Sequence, residues 1–358
     1  MRVVDLRSTP STSTPTVGAR ASSAAELLRT IGVLIAGDAD EYDVGGERIR
    51  AVRDALPAGL LDDIEAFAQG DDKTFLVLSI IAAELDAPAD VDQLVTAITD
   101  DPGLTWRLLL AHQTQGWEEA PDDLAVRLAA GDEDAVTAVR RLADDGPCPA
   151  GVRSLLGHAP SDHGQHILDI VQRFRDAVWH DLERESMGPI QRDVDHRNGQ
   201  VAAGADVATV VLEATNGYEL GDDPAVEHVL LLPSYWLRPW VVVGRLGSTE
   251  VLSSPVADQF LALPSEAPPP ALLKLFKALS DEGRLRLLRR MAGGPISLTD
   301  AVAELDVAKA TAHHHLSILR QAGLVSIRGE GRTTRYALRE DPPALARDTL
   351  SEYVRPGP

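Results

Sequence analysis

Between residues 271 and 341 the apolar pattern changes period once, from the 3.6 of a helix to the 2 of a strand, and the change falls at Gly323. Ahead of it, "ALLKLFKALSDEGRLRLLRRMAGG" predicts two helices. The first carries Leu272, Leu275, Phe276 and Leu279; the second carries Leu285, Leu287 and Leu288 and stops at Gly293 and Gly294. Ser280 and Gly283 offer cap and turn chemistry between them. "SLTDAVAELD" predicts a short third helix, and "VAKATAHHHLSILRQAG" a fourth that Gly323 closes as a C-cap. Then "LVSIRGEGRTTRYALRE" alternates around a Gly-rich turn, predicting a hairpin with Arg328, Arg332 and Arg335 on or near it.

Short helix, tight turn, second helix and basic hairpin form the layout of a winged helix-turn-helix. The words "LFKALSDEGRLRLL" and "ATAHHHLSILRQAGLV" resemble the ArsR-type family of winged-helix repressors, whose members read "LFKALSDPTRLRIL" and "STVSHHLKVLREAGLV". The resemblance covers roughly residues 270 to 340. It implies a DNA-binding dimer addressing the two halves of a palindromic operator, with dimerisation through the helices that flank the helix-turn-helix. Here those are "ALLKLFKAL", with Leu272, Leu275, Phe276 and Leu279, and "PPALARDTLSEYV", with Leu345 and Leu350. Intradomain packing accounts for any one of these leucines as readily as dimerisation does.

Three adjacent histidines invite a metal reading, which helical geometry excludes. Successive residues are about 100° apart, so His313, His314 and His315 cannot converge on one ion. With Ala312 at the centre of the buried face, Leu316 and Leu319 follow at i+4 and i+7, and His315 falls at the edge of the stripe as a packed histidine. The other face holds Ala310, His314 and Ser317, flanked by Thr311 and His313. On a recognition helix these short polar groups would meet base edges in the major groove. Lys309, Arg328, Arg332 and Arg335 would neutralise phosphates and fix register. The bland alternative is that His313 and His314 are merely solvated.

The rest of the chain is of opposite charge. Of the net −21, residues 268 to 341 hold 12 Lys+Arg against 8 Asp+Glu, while residues 1 to 267 hold 20 against 45. A large acidic body thus carries a small basic domain. Residues 1 to 20, including "RSTPSTSTPT", are expected to be flexible after a possible short strand at "RVVDL". Residues 21 to 263 read as a regulatory domain. It is helical to about residue 187 and β-rich over about 205 to 255, where "VATVVLEA", "HVLLLP", "PWVVVGRL" and "EVLSSPV" suggest a small antiparallel sheet. "PSEAPPP" at 264 to 270 breaks both element types and marks a linker to a DNA-binding and dimerisation domain over 271 to 358. The fold class expected is α+β.

A single cysteine, Cys148, excludes an intrachain disulfide, and no apolar run is long enough to span a bilayer or to form a signal peptide. The expectation is a cytoplasmic protein without membrane contact. Metal-sensing members of the family carry a Cys-containing word at the start of the helix-turn-helix, or Asp/His ligands on the last helix. "PISLTDAVAEL" lacks the cysteine and the last helix lacks the histidine. The resemblance therefore brings no metal and no cofactor with it.

Within the body, "SAAELLRTIGVL" and "HVLLLPSYWLRPWVVV" loosely resemble the amino-terminal region of larger actinobacterial ArsR-type regulators. "PSYWLRPW" groups Tyr235, Trp236, Arg238 and Trp240, flat apolar walls beside a cation, and makes the candidate site for a small-molecule effector. Closure of the interface between sheet and helices is the competing reading. His158, His163 and His166, with Asp162, invite a zinc reading against a simpler one of capping and solvation. Phosphate-loop, dinucleotide, nucleophile-elbow and zinc-protease motifs are missing, so no enzyme is expected. Two readings of the body stand beside effector sensing: a protein-interaction or autoinhibitory module whose acidic surface competes with DNA, and an enzyme with a DNA-binding tail.

Overall fold

The computed structural model describes residues 14–69, 73–115, 117–121, 123–261, 268–330, 333–339 and 342–354. The body is organised around its first helix, Ser23–Leu34, of which every residue is buried. Ser22 caps it by accepting the N–H of Ala25 at 3.1 Å. A helix buried all round needs partners for its polar groups. The Glu26 carboxylate accepts the backbone N–H groups of Tyr235 and Trp236, each at 2.9 Å, and Arg29 donates to the carbonyl of Leu232 at 3.0 Å. Burial pushes the Glu26 carboxyl upward while Arg29 draws it back. These bonds tie the helical array to the sheet.

Eight strands are present among the described residues: β1 (Thr16–Ala19), β2 (Tyr218–Glu219), β3 (His228–Ser234), β4 (Val242–Leu246), β5 (Thr249–Pro255), β6 (Ile296–Ser297), β7 (Val325–Glu330) and β8 (Thr333–Leu338). One sheet has the order β1-β3-β5-β4 and the other β2-β7-β8-β6. The class is α+β, but the body's sheet is mixed: β1 and β5 run parallel to β3, and only β4 is antiparallel. β1 falls inside the segment expected to be flexible. It is held there by pairing with β3 and by Ala19, which donates to Asn198 Oδ1 at 2.9 Å. The "RVVDL" stretch lies outside the described residues.

Two further expectations are corrected. "VATVVLEA" is a helix, Val207–Ala214, because Asp206 caps it through the N–H of Thr209 at 2.9 Å and because Val210, Val211 and Ala214 share a buried face. A run this short fits either element by pattern. The helical region also extends past residue 187, through the helix His180–Ala202 with Pro189 inside it.

The C-terminal domain has the expected order: helices Pro270–Leu279, Glu282–Met291, Leu298–Leu305 and Lys309–Gln321, the hairpin β7–β8, and a last helix Pro342–Val354. Pro270, read as linker, is the first residue of a helix, where its missing N–H costs nothing. Asp281, rather than Ser280, caps the second helix by accepting the N–H of Arg284 at 2.9 Å. Gly323, at φ +72, follows the fourth helix in the left-handed conformation that closes it. Leu275, Leu287, Ala312, Leu316 and Leu319 form this domain's own core. Its sheet is nevertheless completed by the body: β2 pairs in parallel with β7, Tyr218 opposite Ile327 and Glu219 opposite Arg328.

Candidate nucleic-acid interface

The fourth helix of the C-terminal domain, the recognition helix in a winged helix-turn-helix, buries Ala312, Leu316 and Leu319. That is the stripe the sequence predicts. His315 is at its edge, half-buried, with Nδ1 3.6 Å from Asp281 and no hydrogen bond from that nitrogen. Burial lowers its pKa and Asp281 opposes the shift. The expected packed position is found, held by electrostatic proximity instead of a hydrogen bond.

The opposite face of this helix fronts the body without being buried by it: Lys309, Ala310, His313 and His314 remain exposed. Lys309, Ala310, His313, His314 and Ser317 line a cavity of about 860 Å³ whose other walls come mostly from the body, with Leu298, Ile327 and Tyr336 from the C-terminal domain. His314 Nδ1 is 3.3 Å from Glu41 Oε1. Ser317, expected to face outward, is buried. Thr311 is exposed. The imidazole of His313 is held below its ordinary pKa by burial and then by the Lys73 ammonium, with Glu41 opposing.

Body carboxylates also meet the basic groups of the domain. Arg328 of the wing is ion-paired with Asp222 at 2.6 Å, Lys274 with Asp43 at 2.6 Å, and Ser326 donates to Glu219. Arg335 lies 3.8 Å from Asp300 within its own domain, and Arg332 lies outside the described residues. At the end of the recognition helix, Asn216 donates to the carbonyl of Gln321 at 2.9 Å and accepts from Arg339 at 3.1 Å. Arg320 is buried, its guanidinium donating, among the described residues, to the carbonyls of Thr215 and Pro239 at 3.3 and 3.4 Å. Sequence reasoning missed Glu41, Asn216 and Asp222, which belong to no motif and matter through partners more than 100 residues away, and Arg320, which lies in the quoted word "ATAHHHLSILRQAGLV" but whose burial against the body the word does not reveal.

The cluster expected to hold an effector is mostly structural. Arg238 is ion-paired with Asp43 at 3.0 Å and with Asp258, and donates to the carbonyl of Val256 at 2.8 Å, so the chain itself provides its anions. Trp236 is fully buried, and the Tyr235 hydroxyl donates to Glu185 at 3.3 Å. Only Trp240 fronts the cavity. The histidine cluster is likewise a packing feature: Phe67 contacts His163 and His166 at ring distances of 5.9 and 5.2 Å, and no metal-binding group is found among the described residues. Cys148 is half-buried, its Sγ 3.5 Å from the carbonyl oxygen of Pro149.

Of the residues expected to dimerise, Leu272 and Leu275 are buried within the domain and Leu279 packs against its core. Phe276, Leu345 and Leu350 are exposed, as are Leu273, Tyr353 and Val354 on the same two helices, which pack against each other.

The recognition helix, its preceding helices and the hairpin define a winged helix-turn-helix DNA-binding domain. Residues 279–328 match a helix-turn-helix domain family. The chain is 40% identical over 70 residues to the uncharacterised HTH-type transcriptional regulator YceK of Bacillus subtilis, covering 19% of this chain and 70% of that one. It is 34% identical over 64 residues to the transcriptional repressor SdpR of the same organism, covering 18% and 71%. A solved ArsR family transcriptional regulator, RHA00566, aligns at 26% identity over 24% of this chain and 87% of that one, with a TM-score of 0.22. On the curated relatives, of which it covers 70% and 71%, the chain belongs to the ArsR-type winged helix-turn-helix transcriptional regulators, and these likenesses lie in its C-terminal domain. No helix among the described residues is long and apolar enough to cross a membrane.

Proposed function

We propose that the protein is a dimeric repressor whose acidic N-terminal domain closes over the DNA-reading face and responds to a small-molecule effector. The observation that carries this is the recognition helix, whose Lys309, Ala310, His313, His314 and Ser317 front the body across the cavity. A duplex cannot reach base edges from that face while the body stands there. Glu41 and Asp222 occupy, on His314 and Arg328, positions that DNA acceptors and phosphates would take. The conformation described is the closed, DNA-excluding one, and the effector acts on the balance between it and an open one. The autoinhibitory reading and the effector reading thus become two parts of one device. The two domains, 21 to 263 and 271 to 358, would separate at the Pro-rich segment between them.

Dimerisation is proposed through Leu273, Phe276, Leu345, Leu350 and Tyr353, the exposed apolar positions of the two flanking helices. DNA reading is proposed for Lys309, Ala310, Thr311, His313, His314 and Ser317, with phosphate contacts from Arg328, Arg332 and Arg335.

The test is a tether. In a Cys148→Ser background, Asp43→Cys and Lys274→Cys, whose native side chains form an ion pair at 2.6 Å between the body and the first helix of the C-terminal domain, are bridged with a short bismaleimide. Bridged protein should lose duplex binding in a gel-shift assay, while the same variant before bridging retains it. Full binding by the bridged form would refute the closed, excluding state.

A further inference from the structure

The cavity between body and recognition helix has a charge opposite to that of the domain that supplies most of its walls. Its charged lining among the described residues is Lys73, Arg245, Lys309 and Arg320 against one carboxylate, Glu41, joined by the imidazoles of His112, His313 and His314. Glu41 already faces His314, and Arg245 is paired with Asp223 at 2.6 Å. In a chain with 55 acidic residues and 34 basic ones, a surface chosen at random would show the reverse ratio.

Arg320 is the least compensated of these cations. It is 5% exposed and bonded to two carbonyl oxygens at long range, without a carboxylate in those contacts. Burial lowers its pKa to about 10, against a small opposing influence from Tyr336. A buried cation lacking a counter-ion is costly, and an anion brought to it is correspondingly favoured. Trp240 adds an indole Nε1–H that is buried and without a partner, on a residue that lines the same space. Both groups only donate; what would satisfy them must accept. The body side also supplies an apolar wall of Leu76, Val77, Ile80, Leu108, Val126 and Ala129, while Tyr42, Gln115, Ser317 and Tyr336 are neutral polar members of the lining. About 860 Å³ is within the size range of sites that take small organic ligands.

We infer that this cavity binds an organic anion with an apolar body, of the class of aromatic or medium-chain carboxylic acids, and that the bound acid holds the chain closed. The inference rests on the effector reading proposed above and names its ligand class. The direction follows from geometry. A ligand touching both the body and the recognition helix makes all its contacts only in the closed state, so it stabilises that state and lowers affinity for DNA. The acid is therefore an inducer of a repressor.

The probes are 1-naphthoate and decanoate, with 1-naphthamide and decanamide as uncharged counterparts of the same shape, titrated into the full chain by calorimetry. At least one acid should bind saturably, at least about tenfold more tightly than its amide. Arg320→Gln should erase the preference for the acid while leaving amide affinity unchanged. Should that variant fail to fold, Ala125→Phe, which adds bulk at a lining position of the body and removes no cation, should abolish binding of the acids. Equal binding of acid and amide, or no acid binding below about 1 mM, would overturn the ligand class while leaving the tether result as it stands. Tight acid binding that leaves duplex affinity unchanged would overturn the link to closure.

Discussion

Loosening the contact between body and recognition helix should increase DNA affinity, and the gain can be sized from the structure. The variant is Glu41→Gln, Asn216→Gly and Asp222→Asn together. Glycine is chosen because Asn216 has φ +51, a conformation that alanine would occupy with strain. The ion pairs Glu41–His314 and Asp222–Arg328 are partly or largely exposed and are worth about 0.5 kcal/mol each at most. Asn216 contributes two close hydrogen bonds, to Gln321 and from Arg339, each worth about 1 kcal/mol net, beside a longer one to the carbonyl of Arg320 at 3.5 Å that adds little. Together the closed state should lose about 2–3 kcal/mol relative to the open one, a factor of roughly 30 to 150 at 1.4 kcal/mol per tenfold.

Apparent affinity is the intrinsic affinity multiplied by the open fraction, so the observed gain approaches that factor only if the wild-type chain is at least as strongly closed. The measurement is fluorescence anisotropy on a labelled 30-base-pair duplex at low salt, where phosphate contacts alone support binding. Removing two negative charges would by itself favour a polyanion. Asp54→Asn with Glu65→Gln, both exposed and outside the cavity, controls for that. If the triple variant keeps its melting temperature and binds no better than this control, the body does not compete with DNA and the gating mechanism is wrong.

The remaining predictions concern separate parts of the molecule. His314→Ala should relax base preference, whereas Arg335→Ala should weaken binding to all duplexes and reduce the salt slope by about one; an equal salt-dependent loss for both would refute His314 as a base reader. His163 is buried with neither ring nitrogen bonded, and burial, then His158 and His166, lower its pKa. It should stay neutral in the folded chain where the unfolded chain protonates, so stability should fall as pH drops below about 6.5, and His163→Phe should flatten that dependence in urea titrations. Phe276→Lys with Leu350→Lys should shift sedimentation from dimer toward monomer without lowering the melting temperature. Leu275→Ala, in the core, should instead cost about 2–5 kcal/mol of stability.

What the sequence made legible is what depends on near neighbours. The buried stripe of Ala312, Leu316 and Leu319, the separation of His315 from its two neighbours, and the Gly323 boundary all follow from helical period and backbone conformation within one element. Strand direction in the body was not legible, because β1 and β3 are more than 200 residues apart and alternation does not encode whether a partner runs parallel. "VATVVLEA" was misread since β-branching favours strands only when nothing stronger competes, and the Asp206 cap does. "PSYWLRPW" looked like a ligand site because an aromatic cluster with a cation looks the same whether the anion is foreign or is Asp43 and Asp258. The contact of the recognition helix's polar face with the body was not legible, since Glu41, at the end of a 3-10 turn, and Asp222 are ordinary acidic residues of an acidic domain and belong to no pattern.

That contact also accounts for how a strongly acidic chain can regulate DNA. Were the two domains independent, the 45 acidic residues of the body would repel the duplex at long range and contribute nothing else. Docked, a few of them pair with groups of the C-terminal domain, and under the proposed function the body and the duplex would compete for the same cations. Competition for one face makes the coupling reciprocal: whatever favours closure weakens DNA binding, and bound DNA must weaken the affinity of anything held in the closed cavity by the same factor. His313 provides a handle on that balance that needs no ligand. Lys73 and Glu41 face it from the body, Arg320 and His314 from its own helix, and burial with Lys73 disfavours its protonated form in the closed state. Opening removes both influences, so acidification from pH 7.5 to 5.5 should shift the chain toward the open form and raise duplex affinity. The imidazole would then be protonated toward a polyanion, which adds to the effect, and His313→Asn separates the two. If the variant retains the full pH dependence of cavity-probe binding measured without DNA, the pH response does not arise at His313.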